Sequence, residues 1–589
     1  MPSAQIRFVL KVVVVFTFGL LVGCSSSSSP IADLGNDIGV VQQDSAIVDS
    51  KPDVNTEVNS DTNVTLDTST EQGATCNDEC TTQGEQVCDQ AKTGYRVCDN
   101  YDSDSCLEWG GAVTCGAGQI CKSGACCTPN CGGRICGPDP TCAATCGTCT
   151  SGKVCDAKGQ CVVSTSWILS AGGSSYDYGY SIAIDASNNA YVTGYFENQA
   201  NFGTPRLTSK GYKDIFIAKV LPSGQFDWAV SAGGSSDESG NSIAIDTSGN
   251  AYVTGVFWDE TTFGSTTLTS KGWQDIFIAK VLPSGQFDWA VSAGWSDYDY
   301  AYGITVDSSS NAYITGNYSY HATFGSTTLT SNGKDDIFIA KILPSGQFAW
   351  ALSAGGSMFD NGCSIAIDTN DNAYVTGYFW GQAAFGSTTL TSQGDYDMFV
   401  AKVLPSGQFD WAVSASGGGW VIGEGIATDT SNNAYVTGYF WGQAIFGSTT
   451  LTSNGVEDIF VAKVLPSGQF DWAVSAGGLN MDYGRGIAID TSDNAYVTGE
   501  FRGQAIFGST TLTSNGVEDI FVAKVLPSGQ FDWAVSAGGS KVDVGRSIAI
   551  DTSNNAYVTG MFSDQTTFDS TTLTSKGISD VFIWKNPLP

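Results

Sequence analysis

The chain has 589 residues, which is too long for one compact core, so its length predicts several domains. Only 14% of the residues are charged, yet the formal net charge is −33. Such an acidic surface repels phosphate groups, and this argues against nucleic acid as a partner. His321 is the single histidine of the chain, so His-based catalytic triads and His-rich metal sites are disfavoured.

The first residues have the three parts of an export signal: positive charge, an apolar run over residues 12–22, and small residues before a cysteine. The sequence Leu-Val-Gly-Cys that ends at Cys24 resembles the lipobox of bacterial lipoproteins. This resemblance implies that residues 1–23 are removed and that acyl chains on Cys24 hold the protein at a membrane. In that family the following residue, here Ser25, favours the outer membrane or cell surface. The alternative is an ordinary secretory signal with a chance cysteine.

Residues 24–75 are acidic and polar and show no persistent helical or strand period, which predicts a disordered tether. Sixteen cysteines follow, and their spacing divides them into a module over residues 76–126 and a second module over residues 127–163. They are Cys76, Cys80, Cys88, Cys98, Cys106, Cys115, Cys121, Cys126, Cys127, Cys131, Cys136, Cys142, Cys146, Cys149, Cys155 and Cys161.

Few large apolar residues lie between these cysteines, so an exported segment of this kind is expected to be a stalk held by disulfides. The sequence does not choose among the possible pairings. Cys146-Gly147-Thr148-Cys149 also has the spacing of a redox or zinc motif, but no βαβ pattern and no histidine accompanies it.

The region 164–589 is repetitive, with a period of 61 residues and no insertion or deletion. The period is defined by an aspartate in phrases of the form "IAID" and by a tryptophan in phrases of the form "FDWAVSAGG". The aspartates are Asp185, Asp246, Asp307, Asp368, Asp429, Asp490 and Asp551, and the tryptophans are Trp167, Trp228, Trp289, Trp350, Trp411, Trp472 and Trp533.

One repeat predicts four short strands and no helix. In the copy that begins at Ser242, the strands are expected over residues 242–246, 251–257, 275–282 and 287–293, with a long connection over 258–274. The third strand, "DIFIAKVL", is apolar at almost every position, which indicates that both of its faces are covered.

The two ends of the repetitive region complement each other. Residues 167–172 match a fourth strand that no first three strands precede, and residues 580–585 form a third strand with no fourth strand after it. Pairing these two segments leaves no open sheet edge, whereas a linear solenoid would leave both unpaired. The sequence therefore predicts an all-β, closed seven-bladed β-propeller of four-stranded blades.

The phrases "SIAIDTSNNAYVTG" and "DIFIAKVLPSGQFDWAVSAGG", with their copies over residues 167–585, resemble the SBBP family of bacterial β-propeller repeats. The resemblance implies a propeller fold and a surface or secreted location. It supplies no catalytic residues that could be assigned to this chain.

Two repeated polar features are expected to be structural. The turns "DTSNN" faintly resemble a calcium loop, but the glycine and the acid of such a loop are missing, so Asp185 and its copies are expected to cap their own turns; calcium remains the alternative. Asp214 and Lys219, which also recur in every repeat, are expected to form internal hydrogen bonds or ion pairs. Cys363 is expected to be a free thiol, because its repeat equivalents are not cysteines.

The connections after the second and fourth strands vary among the copies, whereas the turns after the first and third strands hardly vary. In a propeller the variable connections emerge on one face, and they are rich in aromatic and acidic residues. Exposed aromatic residues favour recognition of sugars, peptides or cations; the alternative is sequence drift in loops, with some rings packed on neighbouring blades. The candidate ligand-binding residues are Tyr176, Tyr178, Trp258, Trp295, Tyr298, Tyr300, Tyr320, Trp380, Trp420 and Trp441.

These patterns predict a non-catalytic binding or adhesion module at the cell surface, with an unidentified glycan, peptide or protein ligand. We expect no resident cofactor or metal, because no set of nucleophile, base and orienting residue can be assembled. Two alternatives remain: an enzyme that acts on extracellular polysaccharide through a carboxylate pair, and a structural protein of the cell envelope.

Overall fold

The computed structural model describes residues 166–586 continuously and short segments between residues 86 and 163. All regular structure in these residues is β-strand, so the all-β prediction is confirmed. The chain divides into two compact units, of which the larger contains Thr165–Leu588 and the smaller contains Ser27–Ser164. In the described part of the chain, no helix is long and apolar enough to cross a membrane.

The smaller unit contains short antiparallel strands. They are Gln86–Cys88, Gly94–Asp99, Glu108–Trp109, Val113–Thr114, Ile120–Lys122, Ala125–Cys127, Lys153–Cys155 and Cys161–Val163. Cys88, Cys98 and Cys115 are disulfide-bonded, while the stalk of sixteen disulfide-bonded cysteines stays a prediction. The export signal, Cys24 and the acidic tether lie outside the described residues, as do the side chains of the other stalk cysteines.

The larger unit repeats one order of four strands. The first strands are Asp177–Ile184, Ser239–Ile245, Asp299–Val306, Asp360–Ile367, Val421–Thr428, Asp482–Ile489 and Val544–Ile550. The second strands are Ala190–Asn201, Ala251–Phe257, Ala312–Phe324, Ala373–Phe379, Ala434–Phe446, Ala495–Phe501 and Ala556–Phe562. The third strands are Arg206–Val220, Asp275–Val281, Thr327–Ile342, Asp397–Leu404, Thr449–Val464, Asp519–Val525 and Asp580–Asn586. The fourth strands are Trp167–Gly173, Phe226–Gly234, Phe287–Ala293, Phe348–Gly356, Gln408–Gly417, Phe470–Gly478 and Phe531–Gly539.

Within each repeat the first strand pairs with the second, the second with the third, and the third with the fourth, always antiparallel. The last repeat obtains its fourth strand from the beginning of the region, because Asp580–Asn586 pairs with Trp167–Gly173 in the register Val581↔Ala171 to Lys585↔Trp167. The two ends of the repetitive region therefore share one sheet, as their sequences predict.

The connection between the second and third strands is a β-hairpin and not the loop that its Gly and Thr content suggests. In the second repeat, Glu260–Phe263 pairs with Thr266–Thr269, and the hairpin also pairs with the fourth strand of the preceding repeat. In the first, third and fifth repeats this hairpin is continuous with the second and third strands. A phenylalanine such as Phe263 fixes each hairpin, because its ring is fully buried against Phe277 of the third strand.

The hydrophobic core is divided into clusters that lie between neighbouring repeats. One cluster combines Ile215 and Ile217 of the first repeat with Val253 and Phe277 of the second. A cluster of the same kind joins the last repeat to the first through Val581, Ile583 and Ile182. The third strands are buried on both faces, as their continuous apolar sequence indicates.

We call the end of the repeats that carries the turns after the first and third strands the turn face. Its aspartates cap their own turns: Oδ1 of Asp185 accepts hydrogen bonds from the amides of Ser187 and Asn189, both at 2.9 Å, and Oδ2 accepts one from Asn189 Nδ2 at 2.7 Å. The other six copies make the same contacts. All the carboxylate oxygens of these turns thus have partners within the fold.

The repeated lysines also have internal partners. Lys219 Nζ lies 3.2 Å from Asp227 Oδ2, and most of its copies pair with the equivalent aspartate. The third repeat has Ala349 at this position, and Lys341 pairs with Asp307 instead, at 3.1 Å. A substitution in one repeat thus redirects the lysine to the turn aspartate without leaving it unpaired.

Candidate ligand-binding face and central cavity

The opposite end of the repeats, which we call the loop face, carries the connections after the second and fourth strands. Because successive strands are antiparallel, these connections emerge together, away from the turn face. All ten candidate ligand-binding residues belong to these connections or to the strand ends beside them.

Four rings form a continuous row on the loop face. Trp273 stacks on Tyr298 with centroids 6.0 Å apart, Tyr298 stacks on Tyr300 at 6.3 Å, and Tyr300 stacks on Tyr302 at 5.9 Å. The interplanar angles are 13°, 9° and 3°. We call these four residues the aromatic row. It begins at Trp273, which is 59% exposed, and ends at Tyr302 in the wall of a cavity.

The row follows from the local sequence. Residues 298–302 read "YDYAY", and side chains two positions apart in an extended chain point to the same side, so the three tyrosines project together. Trp273 comes from the preceding repeat, where Gln274 forms a parallel bridge to Tyr298. Trp258 packs edge-on against Tyr298 at 6.3 Å.

The structure separates the other candidate residues by exposure. Trp295, Tyr320 and Trp441 are well exposed, whereas Tyr176, Trp380 and Trp420 are half-buried. Tyr178 is buried against Tyr195 and residues of the last repeat, so it belongs to the core. For this residue the alternative applies, in which a ring packs on a neighbouring repeat and is not available to a ligand.

Two exposed rings were missed from the sequence: Trp273, and Tyr212 at the equivalent position one repeat earlier. Both lie just before a third strand, in a segment that we interpreted as part of a long connection. The sequence does contain a signal for an exposed position here, because this residue is aromatic, charged or aliphatic in different copies of the repeat.

Pairs of buried carboxylates lie beneath the loop face at the junctions between repeats. One acid begins a third strand and the other lies at or just before the start of the next first strand. The pairs are Asp580 with Asp177, Asp214 with Glu238, Asp275 with Asp299, Asp336 with Asp360, Asp458 with Asp482, and Asp519 with Asp543, and all are at most 1% exposed. At the fifth junction Val421 takes the place of the second acid.

The surroundings of Gly294 show how close the carboxylates of Asp275 and Asp299 lie to each other. A Cβ on this residue, whose φ is +136°, would lie 2.8 Å from an oxygen of Asp275 and 2.8 Å from an oxygen of Asp299. The fifth junction has Ser416 in place of this glycine, in the same copy in which Val421 replaces the acid. The glycine is thus retained where the second carboxylate fills the space beside it.

Each acid of the pair is only partly satisfied. The amide of Trp295 donates to Asp299 Oδ2 at 2.8 Å and that of Lys271 donates to Asp275 Oδ2 at 3.0 Å, but Oδ1 of either aspartate is buried with no partner among the described residues. Burial raises the pKa of Asp299 to about 8, and the charge of Asp275 adds to this effect. Burial also raises the pKa of Asp275 to about 6.

A cavity of about 220 Å³ lies where the seven first strands meet, and we call it the central cavity. Six repeats line it with three consecutive residues each, and the first repeat lines it with Tyr180 and Ser181. The outermost of these positions is the most variable, with Tyr180, Asn241, Tyr302, Cys363, Glu424, Arg485 and Arg546 in successive repeats.

Arg485 is held in the wall of this cavity by two buried acids. Its Nη1 lies 3.1 Å from Glu424 Oε1, and its Nη2 lies 2.7 Å from Glu500 Oε1. Its guanidinium also lies 4.6 Å from the ring centroid of Tyr483. These two acids raise the pKa of Arg485, against the opposing effect of burial, so the group remains charged.

Cys363 is not the free thiol that its isolation in the repeats suggests. It is disulfide-bonded. Comparison of repeat positions could not reveal this bond, because the equivalent residues of the other repeats are not cysteines. No cluster of three or more metal-ligating side chains occurs among the residues that the structure describes.

The family model named SBBP, described as a beta-propeller repeat, matches the chain at residues 167–195, 228–256, 293–317, 473–500 and 535–561. Each match runs from within a fourth strand through the following first strand into a second strand. These five segments are SBBP β-propeller repeats. They include five of the seven first strands that line the central cavity.

The uncharacterized WD repeat-containing protein L264 of Acanthamoeba polyphaga mimivirus is 24% identical over 497 residues, a match that covers 67% of this chain and 36% of the relative. This chain therefore spans about a third of the length of this relative.

Two solved structures are similar to the chain. The gluconolactonase XC5397 of Xanthomonas campestris has 9% identity and a TM-score of 0.29, and the match covers 71% of this chain and 97% of that chain. Sqt1 of Chaetomium thermophilum has 8% identity and a TM-score of 0.33, covering 66% and 81%. With TM-scores this low, these likenesses carry no argument.

Proposed function

We propose that the SBBP repeats form a closed seven-bladed propeller that acts as a non-catalytic binding module and presents the loop face to an extracellular glycan, peptide or protein. Each blade comprises the four strands of one repeat, and Trp167–Gly173 completes the last blade.

Contacts at the junction between the last and first repeats support closure. The amide of Ile243 donates to Ser181 Oγ of the preceding repeat at 3.2 Å, and the amide of Ile182 makes the same contact with Ser547 of the last repeat at 3.3 Å. On the turn face, the hydroxyl of Thr491 donates to Oδ1 of Asn554 in the next repeat at 3.4 Å. Thr552 of the last repeat makes the same contact with Asn188 of the first, also at 3.4 Å. The closing junction thus has the geometry of the internal ones.

The aromatic row is the observation that carries the binding function. Trp273 and Tyr298 keep 59% and 39% of their surface exposed. Large rings with a planar apolar face and a polar edge suit the faces of sugar rings and the side chains of peptides. Lys271 lies 5.7 Å from the ring centroid of Trp295 at the same rim and adds a donor for a polar ligand.

The location of the module belongs to the same proposal. Lipidation of Cys24, an acidic tether and the disulfide-linked stalk would together hold the propeller outside an outer membrane. Fatty-acid labelling of the wild-type protein beside Cys24→Ser tests this part independently of any ligand, because equal labelling of the two would contradict it.

Glycan and peptide arrays probed with the full chain test the binding function. We expect the wild type to select a ligand class, and Trp273→Ala to lose at least tenfold in affinity for it, because the exposed end of the row is removed. Leu479→Ala, which truncates another side chain of the loop face that is 78% exposed, should bind like the wild type. An array with no selective binding, or equal loss in both variants, would overturn the proposal.

A further inference from the structure

Two arginines occupy equivalent positions of neighbouring repeats in the central cavity, but only one forms close ion pairs among the described residues. Arg485 forms ion pairs with Glu424 of the preceding repeat and with Glu500 of its own second strand. Arg546 lines the same cavity one repeat later. Comparison of the two positions shows which acidic partners Arg546 lacks.

The two acids that form ion pairs with Arg485 are other residues at the equivalent positions beside Arg546. The position of Glu500 is Met561 in the last repeat, and the position of Glu424, one repeat before the arginine, is Arg485 itself. Nε of Arg546 is buried without a hydrogen-bond partner among the described residues, and no described carboxylate lies within ion-pair distance of its guanidinium. Arg546 therefore lines the cavity without a close ion-pair partner among the described residues, although Glu424 and Glu518 lie near enough to feel its charge.

Arg546 is half-buried and its buried Nε has no described partner, so a group that accepts hydrogen bonds from this guanidinium would stabilise the cavity wall. We propose that the central cavity binds a small monocarboxylate, whose carboxylate oxygens accept hydrogen bonds from the guanidinium of Arg546. The aromatic row reaches this cavity through Tyr302, but the carboxylate site is argued from Arg546 alone and so does not depend on the proposed function of the loop face.

Size and charge favour a monocarboxylate over a larger anion. A volume of about 220 Å³ leaves room for a small carboxylate. The chain carries a net charge of −33, and Glu424 lies in the same wall, so a doubly charged phosphate would meet stronger repulsion than a single carboxylate. The planar fork of an arginine also matches a carboxylate with two parallel hydrogen bonds.

Tyr180 of the next repeat supplies a second donor at the cavity wall. Burial raises the pKa of this phenol to about 12, and the nearby charge of Arg546 opposes that rise. The hydroxyl therefore stays protonated at neutral pH and can donate to an anion.

Saturation-transfer NMR on the full chain, with acetate and the neutral acetamide of similar shape as probes, tests the proposal. We expect saturation transfer to acetate and little to acetamide in the wild type. Arg546→Met should weaken acetate binding at least tenfold. Lys541→Met, which removes an exposed cation from the same repeat, should leave the affinity unchanged.

Thermal unfolding without acetate shows whether the variants are folded. Arg546→Met should melt at or above the wild-type temperature, because it removes an unpaired charge, whereas Arg485→Met should melt lower because it strands Glu424 and Glu500. If Arg546→Met does not fold, Arg546→Lys replaces it and should weaken acetate binding at least threefold. Equal signals from acetate and acetamide in the wild type, or equal acetate affinity in the wild type and the folded variant, would overturn the proposal.

Discussion

The two faces of the repeats use the same residue type, buried aspartate, in opposite ways. On the turn face, Oδ1 of Asp429 accepts two amide hydrogen bonds and its Oδ2 accepts one from Asn433, and the arrangement repeats in every copy. On the loop face, Asp299 and Asp275 lie against each other, and each keeps one buried oxygen without a described partner.

The two faces also differ in whether their aromatic residues are used in contacts within the fold. On the turn face, Trp228 donates from Nε1 to Pro283 O at 3.0 Å and packs against Gly285 of the next repeat. On the loop face, Trp273 and Tyr298 remain exposed. The turn face therefore uses its side chains to hold neighbouring repeats together, whereas the loop face keeps large rings exposed.

In the proposed propeller both faces depend on closure of the ring, and its loss has the largest expected effect. Deletion of residues 164–173 removes the strand that pairs with Asp580–Asn586 and the tryptophan that donates from Nε1 to Pro222. Loss of the Trp167 ring alone is expected to cost about 3–5 kcal/mol in the free energy of unfolding. We expect a large fall in melting temperature or outright aggregation.

The matched control deletes ten residues, 40–49, from the segment that the sequence predicts to be disordered. This deletion should leave the melting temperature almost unchanged. Equal melting of the two deletion proteins would mean that the terminal strands do not close the fold.

Because the buried acid pairs lie beneath the loop face, we expect the free energy of unfolding to depend on pH through this face and not through the turn face. An aspartate in the unfolded chain has a pKa near 3.8, whereas that of folded Asp299 is about 8. Between these values the folded state holds a proton that the unfolded state has released, so this contribution to stability is greatest below pH 4 and is lost as the pH rises to about 8. At pH 8, Asp299→Asn should be more stable than the wild type by roughly 1–3 kcal/mol, and its pH profile should be flatter.

Asp288→Asn is the control from the turn face. Asp288 is well exposed and pairs with Lys280 at 3.2 Å, so its substitution should change stability by less than about 1 kcal/mol. Chemical denaturation between pH 5 and pH 9 measures both variants. Parallel pH profiles for the wild type and Asp299→Asn would show that the acid pair is not the source of the dependence.

The strands were readable from the sequence because their signals are local. The predicted range 251–257 agrees with the observed second strand Ala251–Phe257, and 287–293 agrees with Phe287–Ala293. The hairpin Glu260–Phe263 with Thr266–Thr269 was missed, since its partner is a fourth strand in the preceding repeat and not a neighbour in sequence.

The candidate site was predicted only in part, for the same reason. The alternation of tyrosines over residues 298–302 placed Tyr298 and Tyr300 correctly on the loop face. Trp273, the carboxylate pairs and the unpaired Arg546 depend on which repeats are adjacent and on what each neighbour supplies. Those contacts join residues of different repeats, and no pattern within one repeat encodes them.

The central claim is that ligand is recognised on the loop face while the turn face only holds the repeats together. Hydroxyl-radical footprinting of the wild-type protein, with and without the strongest ligand from the arrays, tests this directly. The account predicts protection of Trp273, Tyr298 and their neighbours on the loop face, and unchanged labelling of the turns after the first and third strands. Protection confined to those turns, or no protection of Trp273 and Tyr298, would contradict it.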